Sequence, residues 1–169
     1  MKIFRVLLRV VIGLLFFGHG TQKLFGWFGG HGLKETAEGF EKMGLHPGTA
    51  TAIVAGVGEA GGGALTAAGF LTPLGGASLV ASMLTAIHRV HLANGPWATQ
   101  GGYEYNLVLI LTILTLVEGG PGALSVDAIK GKERKGEGWA LATAVAGLAG
   151  SAAAHFASAA LAPPASPEA

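Results

Sequence analysis

Long apolar stretches alternate with short polar connections along this chain. Between Lys42 and Glu104 the charged residues are Glu59 and Arg89 alone, and runs of this kind read as bilayer-spanning helices. The pattern predicts four core spans, at residues 5–24, 50–71, 74–88 and 104–118, and a fifth, rich in Ala, at 139–161. The third and fourth are short for a hydrocarbon layer of about 30 Å, so their ends are expected below the lipid surface, shielded by neighbouring helices. The segment from Thr72 to Gly76 carries no charge and reads as a tight turn, which makes spans two and three an antiparallel hairpin. Residues 34–43 are polar enough for an interfacial helix, with Leu33, Ala37 and Phe40 on its apolar side and Glu35, Glu38 and Glu41 toward water. Strands are not expected, because an open sheet leaves backbone groups unpaired in lipid.

Composition agrees with lipid as the solvent. Only 12% of the 169 residues are charged and 50% are hydrophobic, whereas about 25% are charged in an ordinary soluble domain. A net charge of +1 gives no electrostatic case for nucleic acid. The absence of cysteine removes disulfides, thiol exchange and thiolate-held clusters, so any redox role must use a bound cofactor. Lys2 and Arg5 precede an apolar stretch as in a signal peptide. The continuation from Gly18 to Lys23 offers no small-residue cleavage site, and the segment is expected to persist as a helix.

Lys2, Arg5, Arg9, Lys130, Lys132, Arg134 and Lys135 flank one side of these spans, against Lys23, Lys34, Lys42 and Arg89 on the other. That bias predicts a cytoplasmic N-terminus. The expected fold class is all-α, an integral membrane four-helix bundle with a fifth C-terminal transmembrane helix. Its parts are the bundle at 1–128, a basic cytoplasmic linker at 129–138, the additional Ala-rich helix at 139–162 and a disordered proline-rich tail at 163–169.

An ionisable residue inside a span costs about 2.5 to 3.5 kcal/mol at the helix centre, so each one calls for a partner or a purpose. At about 1.5 Å per residue, His19, Glu59, His88 and Glu104 all lie roughly 18 to 21 Å above the cytoplasmic ends of their spans. Lys23, Arg89, Gln22, His91, Tyr103, Tyr105 and Asn106 surround that level. Two readings stand: a shared polar site in the outer leaflet, or groups that merely satisfy one another. In the second, Glu59 pairs with Lys23 or Arg89, the histidines cap helix ends and the tyrosines form an interfacial belt.

Gly56-Val-Gly58-Glu-Ala-Gly61 matches the glycine fingerprint of dinucleotide-binding folds, but residues 75–82 hold no carboxylate for a ribose. The membrane reading is stronger. Gly58 and Gly62, with Gly61 and Gly63, allow another helix or a flat ligand to approach the backbone beside Glu59.

Five segments then carry a family likeness: Gly18-His-Gly-Thr-Gln-Lys-Leu-Phe-Gly-Trp-Phe-Gly-Gly30, Gly58-Glu-Ala-Gly-Gly-Gly63, Gly69-Phe-Leu-Thr-Pro73, Gly101-Gly-Tyr-Glu-Tyr-Asn106 and Leu124-Ser-Val-Asp127. In combination they resemble the DoxX family of small bacterial membrane proteins over about residues 5–127. The resemblance implies a four-helix bundle in the bacterial cytoplasmic (inner) membrane. It also implies an association with quinone-linked oxidoreduction, including subunits related to thiosulfate:quinone oxidoreductase and quinol oxidase systems. By motif position it points to His19, Lys23, Glu59, Tyr103 and Glu104. The Ala-rich fifth span departs from the family pattern and leaves oligomeric contacts open.

The favoured expectation is a bundle that binds a quinone or similar small aromatic molecule and works with a redox partner subunit, in membrane lipid. His19, His88, Lys23 and Arg89 would donate to the ligand's oxygens, Glu59 and Glu104 would relay protons, and Gly58, Gly62 and Tyr103 would border the ring. No metal ligands are assigned in this reading. One alternative is a haem or iron site built from His19, Glu59, His88 and Glu104, against which stands the lack of paired Glu-x-x-His motifs. Another is a non-enzymatic scaffold or permeation protein whose fifth span packs through Gly147, Gly150 and Ser151. Self-association is compatible with each.

Overall fold

The apolar runs fold as helices whose limits fall close to those expected. A computed structural model describes residues 3–163. In chain order the helices are α1 (Ile3–Phe25), α2 (Gly32–Lys42), α3 (Gly48–Ala68), α4 (Thr72–Ala86), α5 (Glu104–Gly119), α6 (Val126–Ile129) and α7 (Glu137–Ala160). The described residues contain no strand. Two of these helices, α1 and α7, are long and apolar enough to cross a membrane by length and composition. With 15 and 16 residues, α4 and α5 reach only about 23 Å, as the short apolar runs suggested. The chain does not stop at the end of α4, however. It continues through a widened π turn, Ile87–His91, and a 3-10 turn, Leu92–Asn94. The tail expected at 163–169 lies, from residue 164 onward, outside the described residues.

Glycine sets the distance between helices. Gly13 and Gly20 on α1 face Gly56 and Gly63 on α3, each pair spaced by two helical turns and so on one face. A β-carbon on Gly63 would lie 2.5 Å from the Gly13 carbonyl oxygen and the Phe17 nitrogen, so only glycine admits this approach of backbones. On another face of α3, a β-carbon at Gly62 would lie 3.0 Å from both the Gly75 oxygen and a Leu79 methyl of α4. Helix α3 is therefore wedged between α1 and α4, and Gly147 of α7 accommodates Val80 on the far side of α4. Ile12, Phe16, Leu79, Val80, Leu109, Ile110 and Ile113 form the buried apolar cluster.

The turn between α3 and α4 is held by two buried charges. Gly69, at φ +61, ends α3 in a Schellman arrangement, with Phe70 N–H donating to Leu65 O at 2.9 Å and Gly69 N–H to Thr66 O at 3.0 Å. Arg9, 2% exposed, reaches from α1 and donates to Thr66 O at 3.2 Å, Ala67 O at 2.7 Å and Leu124 O at 2.7 Å. A cation at those last carbonyls also complements the helix dipole. Asp127, 1% exposed, accepts from Leu71 N–H at 3.1 Å, Thr72 N–H at 3.3 Å and the Thr72 hydroxyl at 3.4 Å, capping the start of α4 from outside its own sequence. Its own N–H donates to Gly69 O at 3.0 Å. Arg9, counted above as a flanking charge, is thus part of the interior, and two of the family-like segments build this clamp.

The clamp predicts an ordered pair of variants. Asp127→Ala leaves two helix-start N–H groups without an acceptor and should cost about 1 to 3 kcal/mol, whereas Asp127→Asn keeps an acceptor and should cost less. Thermal unfolding followed by circular dichroism measures both, and equal losses would contradict the clamp.

Candidate functional site

The close contact of α1 with α3 brings the last turn of one helix over the middle of the other. Lys23 Nζ donates to Glu59 Oε2 at 2.5 Å. The Glu59 side chain is 8% exposed and that of Lys23 26%, so a buried carboxylate meets a cation that keeps some contact with its surroundings. This is the mutual-satisfaction reading as far as Glu59 is concerned, with Lys23 rather than Arg89 as the partner.

The pair nevertheless borders open space. Lys23 and Glu59 lie in the wall of a cavity of about 940 Å³. Its lining comes from α1, α3 and α4, from Phe40, Met43 and Leu45 at the α2–α3 connection, from Tyr105, Asn106 and Leu109 of α5, and from Ala146, Gly150 and Ala154 of α7. Most of these side chains are apolar. The chargeable groups among them are His19, Lys23, Glu59, Arg89 and His91.

Each has a local anchor. His19 Nδ1 and Gln22 Oε1 are 3.0 Å apart, and His91 Nδ1 lies 2.7 Å from Gly101 O. Arg89 projects from the π turn, a local widening that often marks functional positions, and its Nε–H donates to His155 Nδ1 of α7 at 3.0 Å. Asn106 donates to Met83 Sδ at 3.4 Å.

Of the residues singled out from the sequence, His19, Lys23, Gly58, Glu59 and Arg89 line the cavity. His88 does not; its ring packs on His155 with centroids 4.2 Å apart. Glu104 turns to its own loop and accepts from Ala98 N–H at 2.8 Å. Tyr103 immediately precedes α5, and it is Tyr105 that reaches the lining. Gly62 packs against α4, so the two glycines divide the roles foreseen for them: helix contact at Gly62, cavity wall at Gly58. Among the described residues no three His, Asp or Glu side chains gather as a metal-binding group. Gly150, expected only as a packing residue of the fifth span, also lines the cavity, whereas Ala146, Ala154 and His155 of α7 were not singled out. The signal was present, since His155 is an ionisable residue inside an apolar span.

The loop that carries Met43 and Leu45 into the lining is fixed by Glu41. Its Oε1 accepts from Gly48 N–H at 2.5 Å and its Oε2 pairs with His46 Nδ1. The Gly48 hydrogen bond, reinforced by His46, holds the Glu41 carboxyl below the usual glutamate range against a smaller opposing effect of desolvation. Ser158 of α7 ties the same loop from the other side, accepting from His46 N–H at 2.7 Å and donating to Gly44 O at 3.1 Å.

A family model for DoxX matches residues 4–92, more than half of the chain. The chain belongs to the DoxX family. A Bacillus subtilis protein named "Putative oxidoreductase CatD" is 31% identical over 130 residues, which cover 77% of this chain and 89% of that protein. No solved structure matches the chain. The DoxX match takes in Lys23, Glu59, His19 and Arg89, and the walls supplied by α5 and α7 lie beyond it.

Two outcomes test this geometry. Lys23→Met strands a buried carboxylate and should cost about 2 kcal/mol, less than the 3 to 5 expected for breaking a fully buried pair because Lys23 is partly exposed. Adding Glu59→Gln should recover part of that loss, and additive losses in a double-mutant cycle would deny the coupling. For Glu41, a depressed folded-state pKa means that its stabilising contribution is present above the unfolded value of about 4.3 and is lost as pH falls through the lower folded value. Protection of the Gly48 amide, taken relative to its intrinsic exchange rate, should therefore fall on acidification below the ordinary glutamate range, and Glu41→Gln should remove that dependence.

Proposed function

We propose that this DoxX protein is a membrane subunit of a quinone-linked oxidoreductase system and that its cavity receives the quinone ring beside the Lys23–Glu59 pair. The observation that carries the reading is a buried ion pair set in the wall of a large, mainly apolar cavity. Support for a lipid setting comes from the outer surface. Large apolar side chains are exposed along α1 (Leu7, Val11, Leu14), α5 (Val108, Leu111) and α7 (Leu141, Val145, Leu148), a surface suited to acyl chains and unsuited to water. With the N-terminus cytoplasmic, as the Lys and Arg bias favours, the Arg9–Asp127 clamp lies toward the cytoplasm and the ion pair in the opposite half of the inner membrane.

A bound quinone would accept two electrons and two protons in becoming a quinol. Lys23 has three N–H donors and Glu59 takes one of them, which leaves donors for a ligand oxygen at the cavity wall. His19 and Arg89 add further donors on the same lining. As negative charge develops on a ligand oxygen, a positioned cation stabilises it, and the carboxylate of Glu59 receives or hands on the proton that follows. Electrons are assigned to a partner subunit, because a chain without cysteine holds no thiolate cluster. The name of the Bacillus subtilis relative, "Putative oxidoreductase CatD", agrees with this reading. A haem or iron site has less support, since His88 and Glu104 are engaged by His155 and Ala98.

Solvent extraction of the purified protein followed by mass spectrometry should recover a quinone, and added quinone at a hundredfold excess over its Kd should raise stability by about 2.7 kcal/mol. Both effects should weaken in Glu59→Ala. If no quinone co-purifies and none protects the protein from unfolding, the proposal fails.

A further inference from the structure

A quinone ring alone would leave most of the cavity empty. A space of about 150 Å³ suffices for one benzene ring, whereas the cavity measures about 940 Å³. Its chemistry is also divided by height. His19, Lys23, Glu59, Arg89 and His91 belong to its middle and upper parts, while Ile12, Leu15, Phe16, Leu74, Ala77 and Ala146 line the remainder. Along α1, Ile12 lies about 10 Å below His19, and along α4, Leu74 lies about 22 Å below Arg89. No charged side chain lines that lower stretch. Leu15, Leu74 and Ala146 are exposed as well as cavity-lining, so the lower stretch opens sideways through the apolar surface and not only at the polar end.

Resting on the quinone reading, we propose that the ligand is a tailed quinone, its ring at the Lys23–Glu59 level and its hydrocarbon tail in the trough between Leu74 of α4 and Ala146 of α7. The lateral opening admits a lipid-soluble molecule from the bilayer and lets the end of a long tail remain there. Ala81 of α4 and Gly150 of α7 meet closely, a β-carbon on Gly150 falling 3.2 Å from that of Ala81, so these small lining residues form a shallow floor over which a chain can lie. The helix beyond the family match thus supplies the wall that selects for the tail.

The test uses the full-length protein in detergent and three probes: 2,3-dimethoxy-5-methyl-1,4-benzoquinone, the same ring bearing a decyl tail, and 1-decanol. Titration calorimetry should show the tailed quinone binding about tenfold more tightly than the bare ring, a modest gain per added carbon because detergent also solvates the tail. Ala146→Leu, at an exposed position and so tolerable to the fold, should abolish the difference, and Leu74→Trp should do the same from the opposite wall. Circular dichroism confirms that both variants are folded. Equal affinities for ring and tailed ring overturn the inference and leave the quinone reading standing. So does a tail-dependent gain that survives in both variants, because the tail then sits in detergent. If 1-decanol binds as tightly as the tailed quinone and the bare ring does not bind, the quinone reading falls while the trough is confirmed as a site for a hydrocarbon chain.

Discussion

Backbone contact between α1 and α3 is the constraint on which the site depends. Ordinary helix pairs pack with axes about 8 to 10 Å apart, the side chains between them filling the gap. Here Gly13, Gly20, Gly56 and Gly63 remove those side chains along one seam, and the space that residues 19, 23 and 59 share is bounded by main chain on one side. The same seam leaves α3 no room to rotate, since Gly62 fits equally closely against α4. Glu59 is thereby aimed by two helix contacts, neither of which involves its own side chain. Glycine-rich composition, costly for a helix in water, is tolerated where packing against two neighbours fixes the backbone.

The chain's two ends of this helix assembly do different work, and the family-like segments divide between them. At one end, Arg9 and Asp127 satisfy the backbone groups of the α3–α4 turn. A charge is required there because the acceptors and donors are helix termini that lie beyond reach of water. At the other end, Lys23 and Glu59 satisfy each other and face a cavity. The segments Gly69 to Pro73 and Leu124 to Asp127 therefore build the turn, whereas Gly18 to Gly30, Gly58 to Gly63 and Gly101 to Asn106 contribute to the cavity wall, the first two also to the helix contacts beneath it.

Apolar periodicity made the helices legible, because a run of some twenty apolar residues has few alternatives. It did not reveal the π turn after Ala86, since a widened turn changes hydrogen bonding without changing hydropathy. Counting residues along each span placed His19, Glu59, His88 and Glu104 at one height, and height was all that such counting supplied. Direction around the helix decided the outcome: Arg89 reaches the cavity wall and the adjacent His88 packs on α7. Glu104 starts a helix, where its nearest unpaired donors are those of its own loop. The burial of Arg9 was illegible for a different reason. Its partners are the carbonyls of Thr66, Ala67 and Leu124, and backbone acceptors leave no mark in a sequence.

A buried ion pair is weak evidence for stability, because apolar residues of the same volume often serve a fold as well or better. What distinguishes the pair here is its unused capacity. One contact joins Lys23 Nζ to Glu59 Oε2, and among the described residues no other side chain is hydrogen-bonded to either group. Two ammonium protons and the second carboxylate oxygen are left toward a space that could hold a ligand. Arg9 differs in its surroundings: its terminal nitrogens donate to three carbonyls, its Nε is buried without a partner, and it does not line the cavity. Lys23 and Glu59 thus keep hydrogen-bonding capacity at the wall of the cavity, and the glycine seam between α1 and α3 is what sets them there.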